Sequence, residues 1–178
     1  MKIKTFLKII LIPIIFVSSN LRAEKLIFDS KNIKIEEKGN MIFASKGVAK
    51  FHDKNLEIEG DKFVYDRNNS ELTIFDNVKY IDNENDIIIK SQKMIYNEIE
   101  NIILSQSETI IELENAYEIN SSNILFDRNK NKISSKDFTK VKDKKDNEFT
   151  FSRGLLFDVV KEVISSEKIL IKDQNLNK

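Results

Sequence analysis

A period of about 30 residues constrains this chain more than any other feature of its sequence. An apolar residue followed by a polar one recurs every 30 or 31 positions, with another apolar residue two positions before it and a polar turn after it. The five pairs are Ile35-Glu36, Tyr65-Asp66, Tyr96-Asn97, Phe126-Asp127 and Phe157-Asp158. Repetition at a fixed spacing indicates stacked structural units, each of which buries its apolar face against the next.

Within each unit, apolar and polar residues alternate over four to six positions, which is the pattern of a half-buried β-strand. Asn, Asp, Gly and Ser separate these segments and are the residues that favour tight turns. We therefore expect four short strands per unit and about five units between residues 26 and 177. Residues 155–170 could instead form an amphipathic helix, but the repeat favours a hairpin there.

The sequence predicts an all-β fold, an elongated antiparallel β-jelly-roll with two facing sheets that is open at its ends. Each pair of apolar segments makes one face that cannot be buried alone, so stacking produces a continuous apolar interior and a polar exterior. The apolar residue two positions before each pair, such as Ile33, is also placed in this interior.

The first 23 residues are expected to be a secretory signal peptide, and residues 24–178 the folded domain. Three lysines precede an apolar segment at 9–17, and Ala23 is a plausible cleavage position. An uncleaved membrane anchor is the alternative, although a spanning helix needs ~20 apolar residues, about twice the length found here. Cleavage would leave a mature chain that starts near Glu24 in an extracytoplasmic compartment.

The composition disfavours an enzyme, a cofactor and a nucleic-acid partner. Lys plus Arg balances Asp plus Glu at 29 each, and the chain has one His, four Gly and no Cys. Nucleophile–histidine pairs, multi-histidine metal sites and glycine-rich phosphate loops therefore lack most of their parts. The segment DNEND at 82–86 has acids at calcium-loop spacing, but Ile87 and Lys93 occupy the positions that require Gly and Glu.

The rhythm of MIFASKGVAKFHDKNLEIEGDKFVYDRNNSELTIFDNVKYID at 41–82, repeated more weakly in YEINSSNILFDRNKNKISSKDFTKV, resembles the OstA-like domain of the lipopolysaccharide-transport (Lpt) family. This resemblance implies a periplasmic jelly-roll associated with the cell envelope. It would bind lipopolysaccharide acyl chains in an apolar groove between its sheets, and join other Lpt proteins by edge-to-edge strand pairing. The candidate groove residues are Ile35, Ile58, Phe63, Tyr65, Ile74, Val78, Ile89, Met94, Tyr96, Ile119, Ile124, Phe126, Phe151, Leu155 and Phe157.

The sequence does not decide which of two family members the chain resembles more, an LptA-like bridge protein or the N-terminal domain of LptD. A signal peptide that is cleaved disfavours the anchored member, LptC. The sequence ends where a sixth unit would begin, which suits an end-to-end stacking protein or a piece of LptD whose partner would be an outer-membrane barrel. The competing hypothesis is a purely structural extracytoplasmic β-solenoid with no lipid ligand.

Overall fold

The computed structural model describes residues 26–113 and 116–166, and the backbone of 168–170. Fifteen antiparallel strands and two short 3-10 turns, at Glu37–Gly39 and His52–Lys54, account for its regular structure. The predicted all-β fold is confirmed. The predicted signal peptide lies outside the described residues.

The first five strands are long and form a meander, whereas the later ones are short. The long strands are β1 (Leu26–Glu36), β2 (Met41–Phe51), β3 (Leu56–Asp66), β4 (Glu71–Asp82) and β5 (Ile87–Asn97). The short strands are β6 (Ile102–Ser105), β7 (Glu108–Leu113), β8 (Tyr117–Ser122), β9 (Leu125–Asp127), β10 (Lys132–Ser135), β11 (Thr139–Asp143), β12 (Glu148–Arg153), β13 (Leu155–Asp158), β14 (Val163–Ser165) and β15 (Lys168–Leu170).

The sheet divides into two layers where β5 meets its short partners. Residues 87–91 of β5 pair with β7, while residues 94–97 pair with β6. Layer A contains 26–30, 47–51, 56–59, 78–82 and 87–91, followed by β7, β8, β11, β12 and β15. Layer B contains 32–36, 41–45, 62–66, 71–75 and 93–97, followed by β6, β9, β10, β13 and β14.

A line of bends, here called the spine, joins the two layers. Left-handed backbone occurs along it at Lys46, Asp76, Asn77, Asn123 and Gly154, and the β3–β4 and β4–β5 pairings shift register as they cross it. Each strand from β1 to β5 therefore combines two of the short strands that were expected. After β5, the expected short strands are separate elements. The hairpin expected after residue 155 is formed by β13 and β14.

Buried hydroxyl groups hold the spine together in the second half of the chain. Thr109 Oγ1 is within hydrogen-bond distance of two other hydroxyls, at 2.7 Å from Ser105 Oγ and 3.2 Å from Ser91 Oγ. Ser121 Oγ lies 2.9 Å from Ser135 Oγ and 2.8 Å from Thr139 Oγ1. Because these groups satisfy one another, the polar bends can be buried without the penalty of unpaired hydroxyls.

The repeating apolar–polar pairs all lie at the edge of layer B that is away from the spine, where the strands turn. Here Asp66 Oδ1 accepts the backbone N–H of Asn68 at 2.9 Å, and Asp127 Oδ1 accepts that of Lys130 at 3.1 Å. Successive turns also bond to each other, as in Arg67 N–H to Asn40 O at 2.9 Å. We call the row of turns at 37–40, 67–70, 98–101, 128–131 and 159–162 rim B, and the row at 52–55, 83–86, 116 and 144–147 rim A. The polar member of four of the five pairs is thus a turn cap, because Asx side chains can bond the backbone locally, whereas Glu36 makes no such bond.

Candidate functional site

The candidate groove residues lie together between the two layers, with one exception. Fourteen of the fifteen are buried and belong to one continuous apolar core, and Ile35 does not. The buried ones are Ile58, Phe63, Tyr65, Ile74, Val78, Ile89, Met94, Tyr96, Ile119, Ile124, Phe126, Phe151, Leu155 and Phe157. Their common location agrees with the period-2 alternation on either side of the bend, and the alternation changes phase where β3 shifts register between Ile58 and Phe63. Contact of these residues with lipid remains a prediction.

Aromatic side chains fill the space between the layers. Phe51 from layer A meets Tyr96 from layer B edge-to-face, with ring centroids 5.1 Å apart. Phe28 packs on Phe63 at 5.8 Å in the same manner. The protein's own side chains therefore occupy the region where an apolar groove was expected, and a ligand there would have to replace these contacts.

The layers are offset along their length. We number the strands of each layer in chain order. Phe28 on the first strand of layer A then contacts Phe63 on the third strand of layer B. Phe51 on the second strand of A contacts Tyr96 on the fifth of B, and Tyr117 on the seventh contacts Phe157 on the ninth. Each strand of A thus faces a strand two or three positions further along in B.

This offset corrects the prediction for Ile33 and Ile35. Both lie on the first strand of layer B, opposite the buried residues Ala44 and Ile42, so they are on the interior face. They are nevertheless 49% and 62% exposed. The first strands of layer B extend beyond layer A, so nothing among the described residues covers them. Sequence alternation assigns the face of a strand but not what lies opposite it.

A buried ionic cluster, here called the rim clasp, connects the two rims. Arg128 in a turn of rim B binds Asp82 of layer A in a bidentate manner, with Nε to Oδ2 at 2.6 Å and Nη2 to Oδ1 at 3.0 Å. The side chains of both residues are almost fully buried, at 3% and 0% exposure. Lys54 in rim A donates to Tyr96 Oη of layer B at 2.7 Å and to Glu98 O in the turn that follows β5 at 3.0 Å.

The charges in the clasp depend on one another. Burial alone would raise the pKa of Asp82, but hydrogen bonds from Arg128 and Asn85 and the charge of Arg128 outweigh it and lower the pKa. Burial beside the Asp82 carboxylate raises the pKa of Tyr80 well above its ordinary value, so Tyr80 stays protonated and donates to Asp82 Oδ2 at 3.2 Å. The carboxylate is therefore ionised and fully bonded at neutral pH.

Sequence reasoning missed the rim clasp. In the sequence, Asp82 belongs to the acidic segment DNEND, and Arg128 lies in the polar turn after Phe126-Asp127. Their pairing joins positions 46 residues apart, which is not a multiple of the repeat and lies across layers rather than along them. Among the described residues, no group of three or more His, Cys, Asp or Glu side chains is placed to hold a metal ion.

The fold has a counterpart among solved structures. No family model matches the sequence, and no curated protein matches it. LptH of Pseudomonas aeruginosa, the LptA-homologous periplasmic component of the lipopolysaccharide transport device, is similar in structure with a TM-score of 0.59 and 11% identity. The match covers 68% of this chain and 97% of LptH. The chain has an LptA-like fold. No helix in the described ranges is long and apolar enough to cross a membrane.

Removing one partner of the clasp should destabilise the fold more than removing both charges. Arg128→Met leaves Asp82 buried without its counter-ion, and we expect a loss of about 3–5 kcal/mol in the free energy of unfolding. Adding Asp82→Asn to this variant removes the isolated charge while keeping an oxygen for the turn, so the double variant should recover part of the loss. Urea unfolding measures both variants, and a double variant less stable than Arg128→Met would contradict this interpretation.

Asp82 should make stability depend on pH in the acid range. Its folded pKa lies below its ordinary value of 3.8, so just below pH 3.8 the unfolded chain binds more protons at this position than the folded chain does. Its contribution is complete above that value and is lost as the pH falls through the folded pKa. The unfolding free energy of Asp82→Asn, measured between neutral and acid pH, should therefore decline less steeply than that of the parent protein. Parallel curves would refute the assignment.

Proposed function

We propose that this chain is a periplasmic lipopolysaccharide-binding module that acts in transport of this lipid to the outer membrane. The observation that carries the proposal is the LptA-like arrangement of two layers around one continuous apolar core. The finer part of the proposal, binding of acyl chains between the layers, rests on the chemistry of the core.

The interior offers hydrocarbon chains an environment equivalent to the one they leave. Apolar burial stabilises by about 25 cal/mol per Å² whether the contacting surface belongs to protein or lipid. Parting the layers therefore loses contacts such as Phe51 with Tyr96, and acyl chains that fill the gap restore comparable burial. A polar or charged ligand could not compensate in this way.

The free edge of β1 supports association with further domains of the same type. Among the described strands, β1 pairs only with β2, so its other edge has backbone groups free to pair with another strand. Ile33 and Ile35 project there from the interior face and are exposed. A neighbouring domain added at this edge would cover both side chains and extend the apolar interior, which suits a bridge of several Lpt domains.

A purely structural solenoid is the competing function, and the close packing of the core favours it. Ile58, Tyr80 and Phe126, for example, have essentially no solvent exposure. If this core never opens, the chain would bind nothing between its layers. The two functions therefore differ in whether lipid reaches the buried side chains.

Photo-crosslinking from the interior should capture lipopolysaccharide. A benzophenone amino acid replaces Phe63, Tyr65 or Phe126, all buried, and the chain is irradiated with purified lipopolysaccharide. Lys62 serves as the matched control because it is next to Phe63 in β3, with a side chain that is 69% exposed. We expect lipid adducts, detected by immunoblotting and mass spectrometry, from the interior positions and not from position 62.

Adducts only from position 62 would contradict binding between the layers. Well-folded interior variants that yield no adduct at all would favour the structural solenoid. Circular dichroism of each variant before irradiation shows whether it is folded, so loss of the fold is distinguishable from loss of binding.

Charge on the free end of layer B should weaken association without unfolding the domain. Ile35 is exposed, so Ile35→Asp should change the free energy of unfolding by no more than about 0.5 kcal/mol. It would place a carboxylate in the apolar junction with a second domain and reduce end-to-end association. Sedimentation velocity measures the effect, with Ile99→Asp as the control because Ile99 is an exposed turn residue in rim B. Equal association of both variants would exclude this edge.

A further inference from the structure

The two rims contact each other through different chemistry along their length. On one side they are joined by the rim clasp, in which Arg128 also donates to Lys54 O and Glu84 Oε2, both at 3.2 Å, and to Asn101 Oδ1 at 3.3 Å. One guanidinium therefore links two turns of rim A to its own rim. This side is polar, and the Arg128–Asp82 pair at its centre is buried and bonded on both members.

Further along, apolar side chains form the contact. Leu113 and Ala116 at rim A and Phe157 and Val159 at rim B line a cavity of about 190 Å³. Tyr117 meets Phe157 edge-to-face beside it, with ring centroids 5.4 Å apart. We call these five residues the seam. Asn85, Asp86 and Glu162 complete the cavity at its solvent side.

We propose that the seam is the place where the layers part to admit a hydrocarbon chain, and that the rim clasp stays closed while they do so. The proposed ligand is a single acyl chain of a lipid, inserted between the rims and reaching the apolar core behind Phe157. This inference rests on the proposed function and adds to it the position of the opening.

The difference in chemistry decides which side opens. If the clasp separated around an acyl chain, the Arg128 and Asp82 charges would face hydrocarbon without their partners, and nothing in the lipid tail could replace them. If the seam separates, Leu113, Ala116 and Phe157 exchange protein contacts for methylene contacts of similar quality. The cavity also means that some of the seam is already unfilled, so less packing is lost on opening.

The continuity of the seam with the core supports the same conclusion. Phe157 is itself 1% exposed and belongs to the buried core cluster, and Leu113 is also buried there. A chain that enters the cavity therefore meets the core at once, without crossing a polar layer. On the clasp side, the Tyr80 hydroxyl of the core donates to Asp82, and Asp82 and Arg128 form a buried charged pair at that position.

Crosslinks between the two rims, one at the seam and one at the rim clasp, test the proposal. The chain has no native cysteine, so two introduced thiols can be linked selectively by a bis-maleimide with a cleavable disulfide in its spacer. Ala116→Cys with Val159→Cys bridges the seam at two cavity-lining positions. Asp53→Cys with Ile99→Cys bridges the clasp side through exposed turn residues next to Lys54 and Glu98. Mass spectrometry confirms each intramolecular link.

Binding of fluorescent lipid A in detergent micelles is then measured for both pairs before linking, after linking and after reduction. We expect the seam link to weaken binding by at least about tenfold and reduction to restore it, whereas the clasp link leaves binding unchanged. A seam link without effect, or a clasp link that weakens binding as much, overturns the position of the opening while leaving the proposed function intact. Absence of binding before linking, in variants that remain folded by circular dichroism, overturns the proposed function itself and the seam with it.

Discussion

The structure depends on burial of one apolar face of the sheet. Each long strand bends at the spine, and its apolar side chains face the interior on both sides of that bend. Ile58 and Phe63 of β3 are five residues apart, so uninterrupted alternation would put them on opposite faces. The register shift between Glu59 and Lys62 reverses the alternation at the bend, and both side chains are buried in the same interior. Neither half can bury its face alone, and stacking many such strands gives each half a partner in the opposite layer. The spine, the rims and the repeat of about 30 residues all follow from this arrangement.

Closing the interior along the rims creates a second problem, since the turns that cap each strand are polar. The rim clasp resolves it on one side by satisfying charges against each other, with Arg128 bound to Asp82 and to backbone and amide oxygens of two layers. On the other side, apolar residues reach the rim and contact each other directly. A buried ion pair gives little net stability but is costly to separate, so it favours one fixed relation between the layers at that position.

The offset between layers determines how the molecule ends. Layer B extends beyond layer A at the N-terminal end, which leaves Ile33 and Ile35 on an interior face without a cover. At the other end, Phe149 on β12 is only partly buried. A two-layer fold built from repeats has no intrinsic limit, and staggered layers leave apolar surface at each end that further strands of similar pattern can cover.

The amino-acid sequence by itself determined the fold class, the period and the face of nearly every strand. Alternation and turn residues are local signals, so the interior positions from Ile58 to Phe157 and the role of Asp66 as a turn cap were predictable without coordinates. The tertiary structure alone decided which strand of one layer faces which strand of the other. That relation depends on how bends accumulate along the spine, and no local pattern encodes it. The sequence therefore assigned Ile35 to the correct face but did not predict that its side chain is exposed. The pairing of Arg128 with Asp82, which joins the two layers across 46 residues, became visible only in the tertiary structure.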